Sequence, residues 1–178
     1  KAKKDGMPAF ALTDHGNMFG TKEFHATCTK AGIKPIIGVE AYLVDDMTQK
    51  DKSNFHVVLL AKNEKGYRNL LKLVTLSNTK GMYYKPRIDK PSLEAHSEGL
   101  IVSSACLGGE VNRTLMNQGV EAAEKVVQWY KNIFGDDFYL ELQRHPTEDA
   151  RLKSEIFDNQ KYSTIELTKF AEKFNIKL

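Results

Sequence analysis

Short apolar runs alternate with amphipathic stretches along the first part of the chain. Ala9-Phe-Ala-Leu12 predicts a strand, residues 21–31 a helix, and Ile36-Ile-Gly-Val39 continuing to Val44 a second strand, which is a βαβ rhythm. Polar residues 45–53 predict a mobile loop before the apolar run 57–61. From Glu64 to Thr79, residues Tyr67, Leu70, Leu71, Val74 and Leu76 recur at helical spacing, and Gly81 ends the pattern. An aromatic and basic segment, 82–89, follows, with a short helix expected at 91–95. Leu100-Ile-Val102 predicts a strand that runs into Ser103-Ser-Ala-Cys-Leu-Gly-Gly109. A helix is expected at 120–134, with Val126, Val127, Tyr130 and Ile133 on one face, and a last strand at 138–142. Residues 147–174 are charged and helix-prone, with Asp158-Asn159 as a break.

At 178 residues the chain is long enough for one domain with a hydrophobic core. With 41% hydrophobic and 28% charged residues it has the composition of an ordinary globular protein, not a disordered or collagenous one. A net charge of +3 permits a nucleic-acid partner without demanding one. Cys28 and Cys106 are too few and too distant for a disulfide framework, which fits a reducing cytoplasm and leaves each as a core thiol or a metal ligand. No apolar run approaches the roughly 20 residues that span a bilayer, so no membrane partner is expected. The ends, Lys1 to Pro8 and Asn175-Ile-Lys-Leu178, read as those of an excised fragment.

The sharpest chemical feature is Leu12-Thr-Asp-His-Gly-Asn17, where an apolar strand ends in a carboxylate, an imidazole and a glycine. Catalytic groups of α/β barrels occupy such strand ends, although Asp and Asn also cap helices with no chemical role. Glu40 stands inside an apolar strand, where it is either paired with a cation or turned to solvent. His56 adjoins an apolar run and Cys106 follows a strand; singly, each reads as well as a core residue. Together His15, Glu40, His56 and Cys106 form a mixed N/O/S set suited to zinc and, with more oxygen ligands, to manganese or iron. Their wide spacing argues against a structural zinc finger. His25 reads as a surface residue of a helix and His96 as a solvent-exposed loop residue. Tyr83, Tyr84, Lys85 and Arg87 interleave aromatic and basic side chains as single-strand binders do, or else line a solvated loop. His145, at a strand end, is a further candidate substrate contact.

Six blocks carry a resemblance. They are Pro8-Ala-Phe-Ala-Leu-Thr-Asp-His-Gly-Asn17, Gly32-Ile-Lys-Pro-Ile-Ile-Gly-Val-Glu40, His56-Val-Val-Leu-Leu-Ala-Lys-Asn63, Gly66-Tyr-Arg-Asn-Leu70, Tyr84-Lys-Pro-Arg-Ile-Asp89 and Gly99-Leu-Ile-Val-Ser-Ser-Ala-Cys-Leu-Gly-Gly109. In this order they resemble the PHP (polymerase and histidinol phosphatase) domain of bacterial polymerase III alpha subunits. The resemblance implies an α/β fold, an incomplete distorted (β/α) barrel truncated at both ends, with residues 1–178 forming a single PHP-domain fragment. It implies metal ligands at His15, Glu40, His56 and Cys106, with Asp14 orienting the neighbouring histidine by a hydrogen bond. The family's initial His-x-His motif with its following Asp, and its final Asp-x-His, are absent; they would lie before Lys1 and beyond Leu178.

The function so implied is that of a cytoplasmic replicative DNA polymerase, a nucleotidyltransferase acting on DNA with other holoenzyme subunits. This domain would be a metal-dependent phosphoesterase with a 3′–5′ exonuclease role, inactive as the isolated fragment. Tyr84, Lys85, Arg87 and His145 are its candidate substrate contacts. The alternative is a non-catalytic scaffold that stabilises the polymerase and docks a separate proofreading exonuclease. A stand-alone phosphatase is disfavoured by the Tyr84-Lys-Pro-Arg87 and Gly66-Tyr-Arg-Asn-Leu70 blocks.

Overall fold

Glycine and capping residues divide the chain into its elements. The structure, a computed structural model, describes residues 1–145 and 156–178. Strand β1 (Ala9–Leu12) leads to helix α1 (Thr21–Ala31), which ends at Gly32 in the left-handed conformation glycine adopts without strain (φ 70°). The long strand β2 (Lys34–Val44) and β3 (Phe55–Ala61) precede α2 (Glu64–Thr79), whose N-cap Asn63 accepts the Gly66 N–H at 3.0 Å. Strands β4 (Met82–Tyr83) and β5 (Lys85–Asp89) run into α3 (Lys90–Ala95), capped by Asp89 with a proline in its first turn. Then come β6 (Leu100–Ser103), α4 (Glu110–Gln118), α5 (Val120–Phe134), β7 (Phe138–Tyr139) and α6 (Ile156–Phe174). None of the helices among the described residues is long and apolar enough to cross a membrane.

The chain divides into two compact units, residues 1–54 with 58–101, and residues 55–57 with 102–178. In the first, β1 pairs in parallel with residues 34–37 of β2, β5 pairs in parallel with residues 42–44 of the same strand, and β4 and β5 form an antiparallel hairpin. Leu43, Leu59, Leu70, Leu73, Ile88 and Leu93 are its buried centre. Gly38 is required where β2 passes β3, since a Cβ there would stand 2.6 Å from the Leu59 carbonyl oxygen. In the second unit β6 and β7 are parallel, and α4, α5 and α6 pack around Tyr130, whose ring stacks on Phe138 at 5.0 Å between centroids. In the first unit the strand path runs β4-β5-β2-β3 with β1 also placed on β2, and in the second β6 pairs with β7, so the described residues form a mixed α/β fold.

Several expectations change. Helix α4 was not foreseen, and β7 stops at Tyr139 instead of residue 142. Helix α6 continues unbroken through Asp158-Asn159, because Gln160, Ser163 and Thr164 just beyond them are buried and Asp158 sits in the first turn, where a carboxylate suits the helix dipole. The expected helical stretch 147–155 lies outside the described residues. On α5 the buried positions are Ala123, Val127, Tyr130 and Phe134, while Val126 and Ile133 are only half-buried.

Candidate metal centre

In the first unit the backbone fixes His15 opposite Glu40. The Glu40 N–H donates to the Asp14 carbonyl at 3.0 Å and the Gly16 N–H donates to the Glu40 carbonyl at 2.9 Å, so the parallel pairing of β1 with β2 extends to a bridge between these two residues. Their side chains consequently share a face of the sheet, with His15 Nδ1 3.7 Å from Glu40 Oε1. The imidazole is 59% exposed and the carboxylate 21%. Gly16 then turns the chain at φ 65°, in a space where a Cβ would approach Pro86 Cγ at 2.6 Å. Asn17 closes the turn, donating to the His15 carbonyl and accepting the Phe19 N–H, both at 3.1 Å. The Tyr42 ring stacks beside the imidazole, 6.1 Å between centroids. Asp14 is exposed, and the bond it supplies to this arrangement is the backbone one from Glu40.

In the second unit His56 meets the loop after β6. Its N–H donates to the Gly108 carbonyl at 3.0 Å, and the two strands bridge at His56 and Gly109. Cys106 Sγ lies 3.6 Å from His56 Nδ1 and accepts the Gly108 N–H at 3.3 Å. Asn112 of α4 holds the Cys106 carbonyl at 3.0 Å and itself accepts from Ser163 of α6 at 2.5 Å. Ala105, immediately before the cysteine, has φ 57°, a strained conformation for a residue with a Cβ. A small polar cleft beside Cys106 is also lined by Asn112, Glu141, Gln143, Gln160 and Ser163. Within it Glu141 accepts from Ser103 at 2.5 Å and from Gln143 at 2.6 Å. Sequence reasoning singled out none of these neighbours. The only hint was the density of polar residues in α4 and α6 where a core face was due.

The remaining candidates separate. Arg87 is 2% exposed, and its guanidinium donates to the carbonyls of Gly81, Met47, Gln49 and Asp51 at 2.8–3.0 Å, so it is a buried organiser of the loop after β2 and has no free face for a substrate. Tyr84 and Lys85 are exposed. His145 is exposed, with its N–H donating to Gln160 Oε1 at 2.8 Å and its Nδ1 accepting from Gln160 Nε2 at 2.7 Å, which leaves Nε2 as the protonated nitrogen of the neutral ring. Cys28 is buried in the first unit, His25 is exposed as expected, and His96 is half-buried against the Ser92 carbonyl instead of solvated.

Residues 1–145 match the PHP domain family. The chain is 51% identical over 161 residues to the DNA polymerase III subunit alpha of Borreliella burgdorferi, an alignment covering 87% of this chain and 14% of that protein. It is 50% identical over 163 residues to the subunit of the same name from Campylobacter jejuni, covering 84% and 14%. With that of Aquifex aeolicus it shares 41% identity over 191 aligned positions, covering 100% and 15%. The chain thus spans about a seventh of the length of these relatives.

Proposed function

The chain belongs to the PHP domain family, and on that premise we propose that it is the metal-dependent phosphoesterase module of a DNA polymerase III alpha subunit. The observation that supports this most is the pairing of side chains of metal-binding type as two backbone-fixed couples, His15 with Glu40 and His56 with Cys106. His56 and Cys106 offer an imidazole nitrogen and a sulfur in one unit, and His15 and Glu40 an imidazole nitrogen and a carboxylate oxygen in the other; donors of these types suit zinc and, with further oxygen donors, manganese or iron. A bound divalent metal supplies activation of water and neutralisation of charge on a phosphoryl group. The residues' own part is to hold lone pairs at fixed positions. His15 and His56 do so through their strands, and Cys106 through the Gly108 and Asn112 bonds around it.

In this reading the parallel pairings β1–β2, β2–β5 and β6–β7 belong to a distorted PHP barrel. The substrate is the 3′ end of a DNA strand, the setting is the cytoplasm, and the other holoenzyme subunits are partners. The test is metal content and 3′–5′ exonuclease activity of the complete polymerase subunit, with His56→Ala as control. Bound metal, with activity lost in the control, is expected. Metal-free protein without hydrolysis overturns the proposal and leaves the scaffold that docks a separate exonuclease.

A further inference from the structure

The β4–β5 hairpin is as tight as an antiparallel pair allows. Tyr83 pairs with Lys85, so Tyr84 alone forms the tip. Its φ is 58°, a conformation that glycine or asparagine adopts far more readily than an aromatic residue. The ring fills no core in return, for it is 70% exposed. Strained conformations that packing does not require cluster at ligand-binding positions.

The surroundings specify the ligand. Lys52 Nζ stands over the Tyr84 ring, 4.1 Å from its centroid, and Tyr83 meets the same ring edge-on at 4.9 Å. Lys85 Nζ lies 5.1 Å from the centroid of Tyr42, the ring that stacks on His15. The nearby carboxylates are already engaged within their own loop, Asp46 by Thr48 and Gln49 and Asp51 by Ser53. Buried Arg87 holds that loop through the Asp51 carbonyl, next to Lys52. An exposed ring on an anchored hairpin, flanked by two lysines, matches an unpaired base with its phosphates.

We propose that Tyr84, Lys52 and Lys85 form a stacking platform for a single-stranded nucleic acid, leading its backbone past Tyr42 to His15. The proposal rests on the phosphodiester reading above and names how that substrate is held. The test is fluorescence anisotropy of a labelled oligothymidylate titrated with the chain in EDTA, so that binding is read without metal or hydrolysis. Tyr84→Gly relieves the backbone and is expected to keep or raise the melting temperature while weakening binding about tenfold. Lys52→Ala with Lys85→Ala is expected to flatten the salt dependence of binding. Unchanged affinity in Tyr84→Gly, or equal affinity for a duplex of the same length, overturns the platform. Absence of hydrolysis in the metal-supplied polymerase subunit, with oligonucleotide binding intact, would count against the phosphoesterase reading alone.

Discussion

Glu40 holds His15 through the backbone on both sides, giving its N–H to the residue before the histidine and taking the N–H of the residue after it. That pairing brings their side chains to within 3.7 Å. His15→Ala is therefore expected to lower stability by less than about 1 kcal/mol, since the imidazole is mostly exposed. In the complete subunit both His15→Ala and Glu40→Ala are expected to abolish hydrolysis and leave DNA synthesis largely intact. Unchanged hydrolysis in both variants would remove these ligands from the site.

Cys106 permits a spectroscopic check. Cobalt(II) in the site is expected to show a sulfur-to-metal charge-transfer band in the near ultraviolet, absent in Cys106→Ser. The same band in the variant would assign the sulfur elsewhere, and Cys28 is the one alternative in the chain.

Arg87 predicts a stability effect. Arg87→Met leaves the Met47, Gln49 and Asp51 carbonyls of the 45–54 loop without their guanidinium donor, and Gly81 with the backbone N–H of residue 87 alone, and is expected to cost about 2–4 kcal/mol in urea denaturation. Arg87→Lys should recover little, because an ammonium cannot span the fork. A wild-type midpoint for Arg87→Met would contradict the assigned role.

The same loop carries a pH dependence. Hydrogen bonds from the Thr48 side chain and backbone hold Asp46 below the ordinary carboxylate range, and those from Ser53 do the same for Asp51. Both folded values are depressed. The stability they contribute is therefore present above the unfolded value of about 3.9 and lost as pH falls through the folded ones. Amide exchange in residues 45–54, corrected for its intrinsic pH dependence, should show less protection at pH 3 than at pH 6. Equal protection would sink the assignment.

Gly66 lies in the first turn of α2 with the Gly99 carbonyl against it, so an added Cβ would overlap backbone that has no flexible side chain to move. Gly66→Ala gains up to about 1 kcal/mol of helix propensity. The displacement of Gly99 is expected to outweigh it, for a net loss of about 1–2 kcal/mol. A stabilised variant in thermal denaturation would refute the close packing.

Local patterns gave most of the elements. Helices α1, α2 and α5 begin and end where the periodicity and the glycine and asparagine caps place them. The candidate ligands were visible because chemically active residues interrupt or follow apolar runs, His15 and Cys106 after strands and Glu40 inside one. Helix α4 was hidden because its buried face carries Glu110, Asn112 and Thr114, polar groups satisfied by partners such as Tyr130, Ser163 and the Cys106 carbonyl, and a hydrophobic period cannot register them. The run Phe138-Tyr-Leu-Glu-Leu142 reads as a strand throughout, yet its pairing with β6 ends at Ser103 and Tyr139.

By itself, then, the sequence determined the periodic elements, the residue types able to bind a metal and the resemblance to the PHP domain, because these are written in residues near one another along the chain. The tertiary structure alone decided that Arg87 is buried while its neighbour Tyr84 is exposed, that Cys106 answers to Asn112, and that Gly66 touches Gly99. In each case the deciding partner is a hydrogen-bond acceptor, a donor or an absence of space that only chain folding brings near, and no local composition encodes where a distant carbonyl will stand.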